Sequence, residues 1–379
     1  MSKMPDTPTL FQDNTKRVAE ALRAAGLDAA IIASPVNVLY TSGANIKTQV
    51  TIPERLAVHV LETSGRATLI VCDIEEPLAR RETWIEDVRN YVEFRRSPIE
   101  IVVDVLEERG LTRGRLGFES RFMVEDYMKE MRSSLAKAEL VAMDDVLDRV
   151  RAIKSDDELA LMEYAQRETE TLLYEAFADF KVGDSEEQLG WRIKEGMRAR
   201  GVGQSLLTVV SGKLTAVPHA KSTKNPIGRG DMIKVDVGAR FRNYTSDFAR
   251  CVFVGELPAH KARTYDKYLD IYDGIIAGTG PGMTAADVYN LMADLHAKHD
   301  IPLAAPHVGH SIGIGLHDEP LLHPRNDRQI LPRMVLALEP RAILEDGERV
   351  HLEDMALITT SGCRVFADVS KLREVRVIG

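Results

Sequence analysis

The sequence predicts an N-terminal α/β domain, residues 1–153, followed by an α+β domain, residues 154–379, built on antiparallel sheet. Helical and strand patterns alternate over residues 10–145, which is typical of an α/β domain. Beyond that region, two pairs of helical patterns are each followed by strand-rich sequence. A chain of 379 residues also exceeds the usual size of a single domain.

The first domain is predicted from hydrophobic periodicity and from the residues that end each pattern. An amphipathic helix stops at Gly26, and an apolar strand follows it directly. The predicted helices are 12–26, 97–110 and 124–135, and the predicted strands are 27–34, 56–62, 67–73, 115–120 and 138–144.

The second domain begins after "VRAIKSDDE" with a long amphipathic helix. Ser155 and Glu158 form a capping box at its start, and Ser185 and Gln188 form another at the next helix. The layout of residues 156–254 is similar to that of 260–360, which indicates an internal duplication. The predicted helices are 156–180, 186–201, 261–278 and 284–299, and the predicted strands are 206–212, 232–240, 246–255, 333–340 and 348–360.

Composition excludes several classes of protein. The net charge of −9 argues against a general nucleic-acid binder, which would present a basic face. No apolar run has the length of a signal peptide or a membrane span. The three cysteines, Cys72, Cys251 and Cys363, are far apart in the chain, which favours inert thiols and a cytoplasmic location.

Two pairs of acidic residues interrupt apolar strand patterns. Asp236 and Asp247 flank a predicted turn at 241–244, so we expect them to be cross-strand neighbours about 5 Å apart at Cβ. Glu339 and Glu353 flank a second turn at Asp346-Gly347 in the same way. Carboxylates placed side by side on half-buried strands repel each other unless a cation lies between them.

The stretch "PHVGHSIGIGLHDEP", residues 306–320, carries three histidines among glycines. It could hold core or surface histidines, a phosphate loop or part of a metal site. A phosphate loop lacks support, because the G-x-G-x-x-G spacing and a following helix are missing. Four carboxylates balance two divalent cations and His310 adds a nitrogen, a donor set that favours Mn²⁺, Fe²⁺, Co²⁺ or catalytic Zn²⁺.

The ordered set of these five residues resembles the ligand signature of the pita-bread metallohydrolases, which include methionine aminopeptidases, prolidases, Xaa-Pro aminopeptidases and creatinases. The matching stretches are "GDMIKVDVGARFRNYTSDFAR", "GHSIGIGLHDEP", "MVLALEP" and "HLEDMALIT". The second stretch alone would suit a methionine aminopeptidase equally well. The N-terminal α/β domain and "RAIKSDDE" are similar to the prolidase and creatinase branch, so the second domain is expected to have the pita-bread fold. The ligands implied are Asp236, Asp247, His310, Glu339 and Glu353.

The resemblance implies two divalent ions (Mn, Co, Zn or Fe) and a bridging hydroxide that attacks the amide bond of a short Xaa-Pro peptide. Glu339 would be both ligand and general base. His317 would contact the substrate or the tetrahedral intermediate, and His219 would support proton transfer or the oxyanion. The family also implies a homodimer in which one N-terminal domain reaches over the partner's active site, with "YTSGANIKTQVTIPER" and "FRRSPIE" as candidate loops.

The chain departs from the prolidase-type pattern at several positions. Arg341 and Arg333 stand where glycine is usual, and His351 replaces the arginine common two residues before the last glutamate. The arginine that binds the substrate carboxylate in some prolidases is absent after Pro320. Arg341 or Arg328 could substitute for it, since a guanidinium suits a carboxylate, and His351 is a further candidate substrate contact.

These departures leave three functional hypotheses open. The first is a prolidase or Xaa-Pro aminopeptidase. The second is a hydrolase of C–N bonds in a small metabolite, like creatinase or ectoine hydrolase, or a sulfoniopropionate lyase. The third is a binding module like the peptidase-like domains of some histone chaperones. Retention of all five ligand positions favours the first.

Overall fold

A computed structural model describes residues 4–52, 54–303 and 305–379 of the chain. The described chain forms two compact units, one of residues 7–151 and one of residues 152–379 together with 4–6. The predicted domain boundary, between 153 and 154, lies two residues further along, and residues 1–3 of the predicted first domain lie outside the described residues. In the described ranges, no helix is both long and apolar enough to cross a membrane.

The first unit is a six-stranded mixed sheet with helices. The sheet order is β4-β3-β2-β1-β5-β6, with β2 antiparallel to both of its neighbours and the other pairs parallel. Its elements are α1 (Leu10–Ala24), β1 (Ala29–Ile32), α2 (Pro35–Ser42), α3 (Lys47–Thr51), β2 (Val58–Glu62), β3 (Ala67–Cys72), α4 (Glu76–Glu82), β4 (Val88–Tyr91), α5 (Pro98–Glu108), β5 (Arg115–Phe118), α6 (Glu125–Ser134), β6 (Glu139–Ala142) and α7 (Asp144–Ala152).

Within the described residues, the second unit contains two helix pairs and two five-stranded sheets, besides one two-stranded sheet, and every strand pair but one is antiparallel, which confirms the predicted α+β class. One sheet has the order β18-β10-β8-β7, with β9 also pairing β8, and the other has the order β12-β11-β13-β16-β17. Its elements are α8 (Asp156–Ala178), α9 (Glu186–Ala199), β7 (Gly203–Ser211), β8 (Met232–Phe241), β9 (Tyr244–Thr245), β10 (Phe248–Val254), α10 (Ala259–Gly278), α11 (Ala285–Lys298), β11 (Gly309–Ser311), β12 (Asp318–Leu321), β13 (Val335–Leu338), β14 (Arg341–Ile343), β15 (Arg349–His351), β16 (Asp354–Ile358), β17 (Cys363–Val365), α12 (Lys371–Glu374) and β18 (Val377–Ile378).

Each helix pair covers one face of one sheet. Val235 and Val237 of β8 share a buried apolar cluster with α8 and α9, and Leu336 and Leu338 of β13 share another with α10 and α11. Because side chains alternate along a strand, the residues between them face away from the helices. The capping boxes predicted at Ser155 and Ser185 are both present and fix where α8 and α9 begin.

The short elements of the first unit were not predicted. These are α2, α3, α4, β4 and α7, each of nine residues or fewer. A segment that short spans too few turns for hydrophobic periodicity to identify it. The longer predicted helices and strands of both units are present.

Candidate metal centre

The first acidic pair lies on the face of β8 and β10 that is turned away from the helices. A two-residue turn at Arg242 and Asn243, both with positive φ, joins β8 to β9. It sets a register in which Asp236 pairs with Ala249, two residues beyond Asp247. Direct pairing of Asp236 with Asp247 was therefore wrong. They are diagonal neighbours on one face, because the tight turn fixes the register.

The second acidic pair does lie in register. Leu338 pairs with Asp354 and Arg341 pairs with His351, which places Glu339 opposite Glu353 between the two ladders. A backbone bridge then joins the sheets: the Ala249 N–H donates to the Glu353 carbonyl at 3.2 Å, and the Glu353 N–H donates back at 3.1 Å. This bridge brings the two acidic pairs together.

A buried ion pair lies directly beside the bridge. The Arg250 guanidinium donates to both carboxylate oxygens of Asp354, at 2.8 and 2.9 Å, and the Tyr272 hydroxyl also contacts Asp354. Both charged side chains are almost completely buried, where a bidentate geometry is needed to offset desolvation. The pair fastens β10 to β16, one residue from Ala249 and Glu353.

His310 on β11 completes the cluster. Its Nε2 lies 3.7 Å from an oxygen of Asp247 and 3.6 Å from an oxygen of Glu353, while its Nδ1 is 3.1 Å from the Ser311 carbonyl. The strand approaches β13 so closely that a Cβ at Gly309 would lie 2.1 Å from the Ala337 carbonyl oxygen. Glycine before His310 therefore permits the approach.

The cluster lies at a cavity of about 160 Å³. The candidate residues His219, His317, Arg341 and His351 line this cavity together with the acids, whereas Arg328 is not among its lining residues. Arg328 instead has a guanidinium nitrogen 3.9 Å from the Glu319 carboxylate. Its substrate-binding role stays a prediction that the geometry does not support.

The carboxylates are buried with too few partners for four negative charges. Burial, followed by repulsion from Glu353 and the other acids, raises the pKa of Asp247 well above its usual range, and burial also raises the pKa of Asp236 and Glu353. Burial acts the same way on Glu339, but contacts with His307, His351 and Arg341 hold its pKa well below the usual range. The site therefore needs either protons or cations.

The residues fit divalent metal ions. In each acid, one buried carboxylate oxygen has no hydrogen-bond partner among the described residues. Potential ligand atoms fall into two buried groups, Asp247 with His310 and Glu353, and Asp236 with His351 and Glu353, each within 4.8 Å. Glu353 is common to both groups, and hard oxygens with imidazole suit Mn²⁺, Fe²⁺, Co²⁺ or Zn²⁺.

Three histidines besides His351 line the cavity around the carboxylates. His317 stacks on His310 with ring centroids 3.9 Å apart, and partial burial beside that imidazole lowers the pKa of His317 to about 4. His307 places Nδ1 3.1 Å from an oxygen of Glu339. His307, three residues before His310, also lines the cavity. His219 lies exposed on the loop before β8 with φ 54°.

The cavity wall also carries cations that sequence reasoning missed. Lys234 is buried and donates to the Thr215 carbonyl at 2.7 Å, and Arg349 is half-buried. Neither forms an ion pair within the described part of the chain. The signal for Lys234 was its position two residues before Asp236 on β8, hence on the same face of the strand.

A buried cluster of carboxylates and imidazoles, open to a small cavity where two sheets meet, defines a metal-dependent hydrolase. Residues 160–360, more than half of the chain, match the model of Metallopeptidase family M24, and residues 15–153 match the Creatinase/Prolidase N-terminal domain. The chain belongs to metallopeptidase family M24, in its pita-bread prolidase branch.

Similar proteins match this chain over nearly its whole length. A Xaa-Pro dipeptidase of Pyrococcus horikoshii is 24% identical over 360 residues, which cover 94% of this chain and 97% of the relative. The fold is similar to the X-Pro aminopeptidase of Thermotoga maritima (TM-score 0.83, 21% identity, 93% of this chain and 97% of that one). It is also similar to dipeptidase PepE of Mycobacterium ulcerans (TM-score 0.84, 23% identity, 99% and 100%).

Replacement of Asp247 by asparagine is expected to have opposite effects with and without metal. Unfolded aspartates ionise near pH 4, but Asp247 in the metal-free fold ionises only at higher pH. The metal-free fold therefore binds extra protons and loses stability as pH rises through that window. In chelator at pH 8, Asp247→Asn should raise the free energy of unfolding by about 1–3 kcal/mol.

With Mn²⁺ or Zn²⁺ at about 100 times Kd, the wild-type protein should gain about 2.7 kcal/mol and the variant much less. Urea unfolding in both conditions measures this reversal, and the exposed Asp270→Asn is the matched control. A variant that metal stabilises as strongly as wild type would contradict the ligand assignment.

Proposed function

We propose that the protein is a dinuclear hydrolase that cleaves the amide bond of short Xaa-Pro peptides, as a prolidase or Xaa-Pro aminopeptidase. The observation that carries this proposal is the pair of buried ligand groups that share Glu353. Relatives named Xaa-Pro dipeptidase and a structural neighbour named X-Pro aminopeptidase support the substrate class.

Asp236, Asp247, His310, Glu339 and Glu353 would hold the two ions. When bound, divalent ions supply Lewis acidity that lowers the pKa of a water and polarises the scissile carbonyl. Glu339 acts as general base in this proposal. The cationic and imidazole contacts that lower its pKa keep the carboxylate ionised at neutral pH, as a metal ligand and a proton acceptor must be, but they also make it a weaker base than a free glutamate.

His317 and His219 act on the substrate side of the cavity. With a pKa of about 4, His317 is neutral at pH 7 and can donate one ring N–H to a developing oxyanion. Its stacking on His310 orients the ring. His219 lines the cavity from an exposed loop, and in this proposal it assists protonation of the leaving nitrogen.

The cavity's cations bind the carboxylate of the substrate in this proposal. Arg341, Lys234 and Arg349 all line the cavity, and Lys234 and Arg349 have no carboxylate partner of their own among the described residues. A volume of about 160 Å³ is smaller than pockets for drug-sized ligands, which supports a short substrate.

A second candidate function keeps the metal centre and changes the substrate to a small metabolite. The observation favouring it is that Arg341 and His351, both departures from the prolidase-type pattern, line the cavity. Hydrolysis of a C–N bond, as in creatinase or ectoine hydrolase, or a lyase reaction on a sulfoniopropionate would then replace peptide hydrolysis.

A panel of Xaa-Pro dipeptides and tripeptides distinguishes these functions. With Mn²⁺, Co²⁺ or Zn²⁺ added, the enzyme is expected to release the N-terminal residue from at least one of them, and chelator should abolish turnover. Dipeptides of the same composition in reversed order, Pro-Xaa, are the matched control. Two bound ions without turnover of any Xaa-Pro peptide would sink the peptide claim and favour the metabolite.

Loss of Arg349 should reduce kcat/KM for substrates that have a free carboxylate. Arg349→Gln removes one charge-assisted hydrogen bond of about 1.5–3 kcal/mol, so kcat/KM should fall roughly 10- to 100-fold. The same peptides with C-terminal amides should lose much less. Arg328→Gln, which removes a guanidinium that does not line the cavity, is the matched control. Equal losses on acid and amide would contradict the carboxylate contact.

We further propose a cytoplasmic homodimer, with the segments 40–55 and 94–100 at its interface (Pro53 lies outside the described residues). The three free thiols support a reducing compartment. The Phe94 side chain is 99% exposed and has φ 63°, and Val50 is 64% exposed, so both candidate loops present apolar side chains to solvent.

Light scattering tests this assembly. The wild-type chain should be dimeric, and Phe94→Asp should shift it towards monomer, because a charge cannot be buried unpaired in an interface. Val182→Asp, at an exposed apolar residue of the second unit, should leave the dimer intact. A monomeric wild type would contradict the proposal.

A further inference from the structure

His351 occupies an unusual position for a histidine that merely contacts substrate. The residue is only 6% exposed, and its Nε2 makes no hydrogen bond within the described chain. That nitrogen lies 3.5 Å from an oxygen of Glu339 and 3.5 Å from an oxygen of Glu353, and Nδ1 lies 3.8 Å from Asp236. The ring therefore lies among three of the carboxylates.

The surroundings of His351 parallel those of His310. Each imidazole belongs to a buried group with one aspartate and the shared Glu353: His310 with Asp247, and His351 with Asp236. The Nε2 of His310 lies 3.7 and 3.6 Å from its two carboxylates, while His351 places Nε2 3.5 Å from Glu353 and Nδ1 3.8 Å from Asp236, and all four separations are too long for hydrogen bonds. Atoms that donate to one ion approach each other without bonding, so this spacing suits shared coordination.

The backbone fixes His351 in this place. Its N–H and carbonyl both contact the Cys251 sulfur at 3.4 Å, and it pairs across the ladder with Arg341. The Arg341 guanidinium reaches Glu339 from that neighbouring strand. The positive charge that an arginine would bring to position 351 is thus present at position 341, while an imidazole, unlike a guanidinium, has a lone pair to give.

We propose that His351 is a sixth metal ligand, so that each of the two ions binds one imidazole: His310 at the Asp247 position and His351 at the Asp236 position. The inference rests on the proposed dinuclear centre. A second nitrogen donor should shift the preference of the site from Mn²⁺ towards Co²⁺ and Zn²⁺, in line with the affinity of imidazole for those ions.

X-ray absorption of the zinc-loaded full-length protein tests the inference without relying on activity. Imidazole scattering should correspond to one imidazole per zinc in the wild type and one imidazole for every two zincs in His351→Asn. Zinc affinity at one of the two positions should fall at least roughly 10- to 100-fold, since even loss of an indirect partner has that effect. His317→Asn, which removes another cavity imidazole, should keep the wild-type count.

The outcomes separate the two claims. Two bound zincs sharing one imidazole in wild type, unchanged in His351→Asn, would overturn the sixth ligand and leave the dinuclear centre standing. A wild-type protein that binds fewer than two ions would overturn the proposed function, and the inference with it. The number of imidazoles per zinc in the wild type tests the inference even if His351→Asn folds poorly. His351→Arg, which places the family's usual arginine at position 351, provides a second variant.

Discussion

Four carboxylates around one small buried cavity repel each other, and this repulsion is the constraint that the rest of the second unit satisfies. Removing such groups from water costs several kcal/mol for each ion unless an opposite charge compensates. The nearby cations offset only part of this desolvation cost. Arg341 and the imidazoles contact Glu339 and lower its pKa, whereas the pKa of Asp247 and of Glu353 remains raised. Divalent ions held by these residues would offset the repulsion that remains.

The two sheets that carry the carboxylates are held together by contacts close to the repulsive cluster. Two helix pairs cover the outer faces of the sheets, and the Ala249–Glu353 bridge joins the inner ones. Beside that bridge, Arg250 and Asp354 form a buried bidentate pair. The repulsive carboxylates therefore lie next to an attractive ion pair on the same two strands. The Arg250–Asp354 pair keeps the candidate ligands of the two sheets at a fixed distance from each other.

Much of this arrangement was predictable because buried acids are costly and therefore conspicuous in apolar strands. Asp236, Asp247, Glu339 and Glu353 could be identified that way, and the long capped helices followed from periodicity. The diagonal offset of Asp236 and Asp247 could not, because it depends on a turn of two residues at Arg242 and Asn243. His307 and Arg349 reach the cavity through tertiary packing, which leaves no periodic trace, whereas Lys234 could have been found from its place two residues before Asp236 on the same strand face.

The two-residue turn between β8 and β9 has a further consequence for how this chain can change. Surface loops normally accept insertions and deletions, but here the turn length sets which face of the strand each following side chain occupies. Adding or deleting one residue would rotate Asp247 to the helix-covered face and Phe248 to the cavity. Only changes by an even number of residues keep the alternation, so the length of this connection is constrained by the site although neither turn residue touches it, and positive φ at both positions restricts its sequence as well.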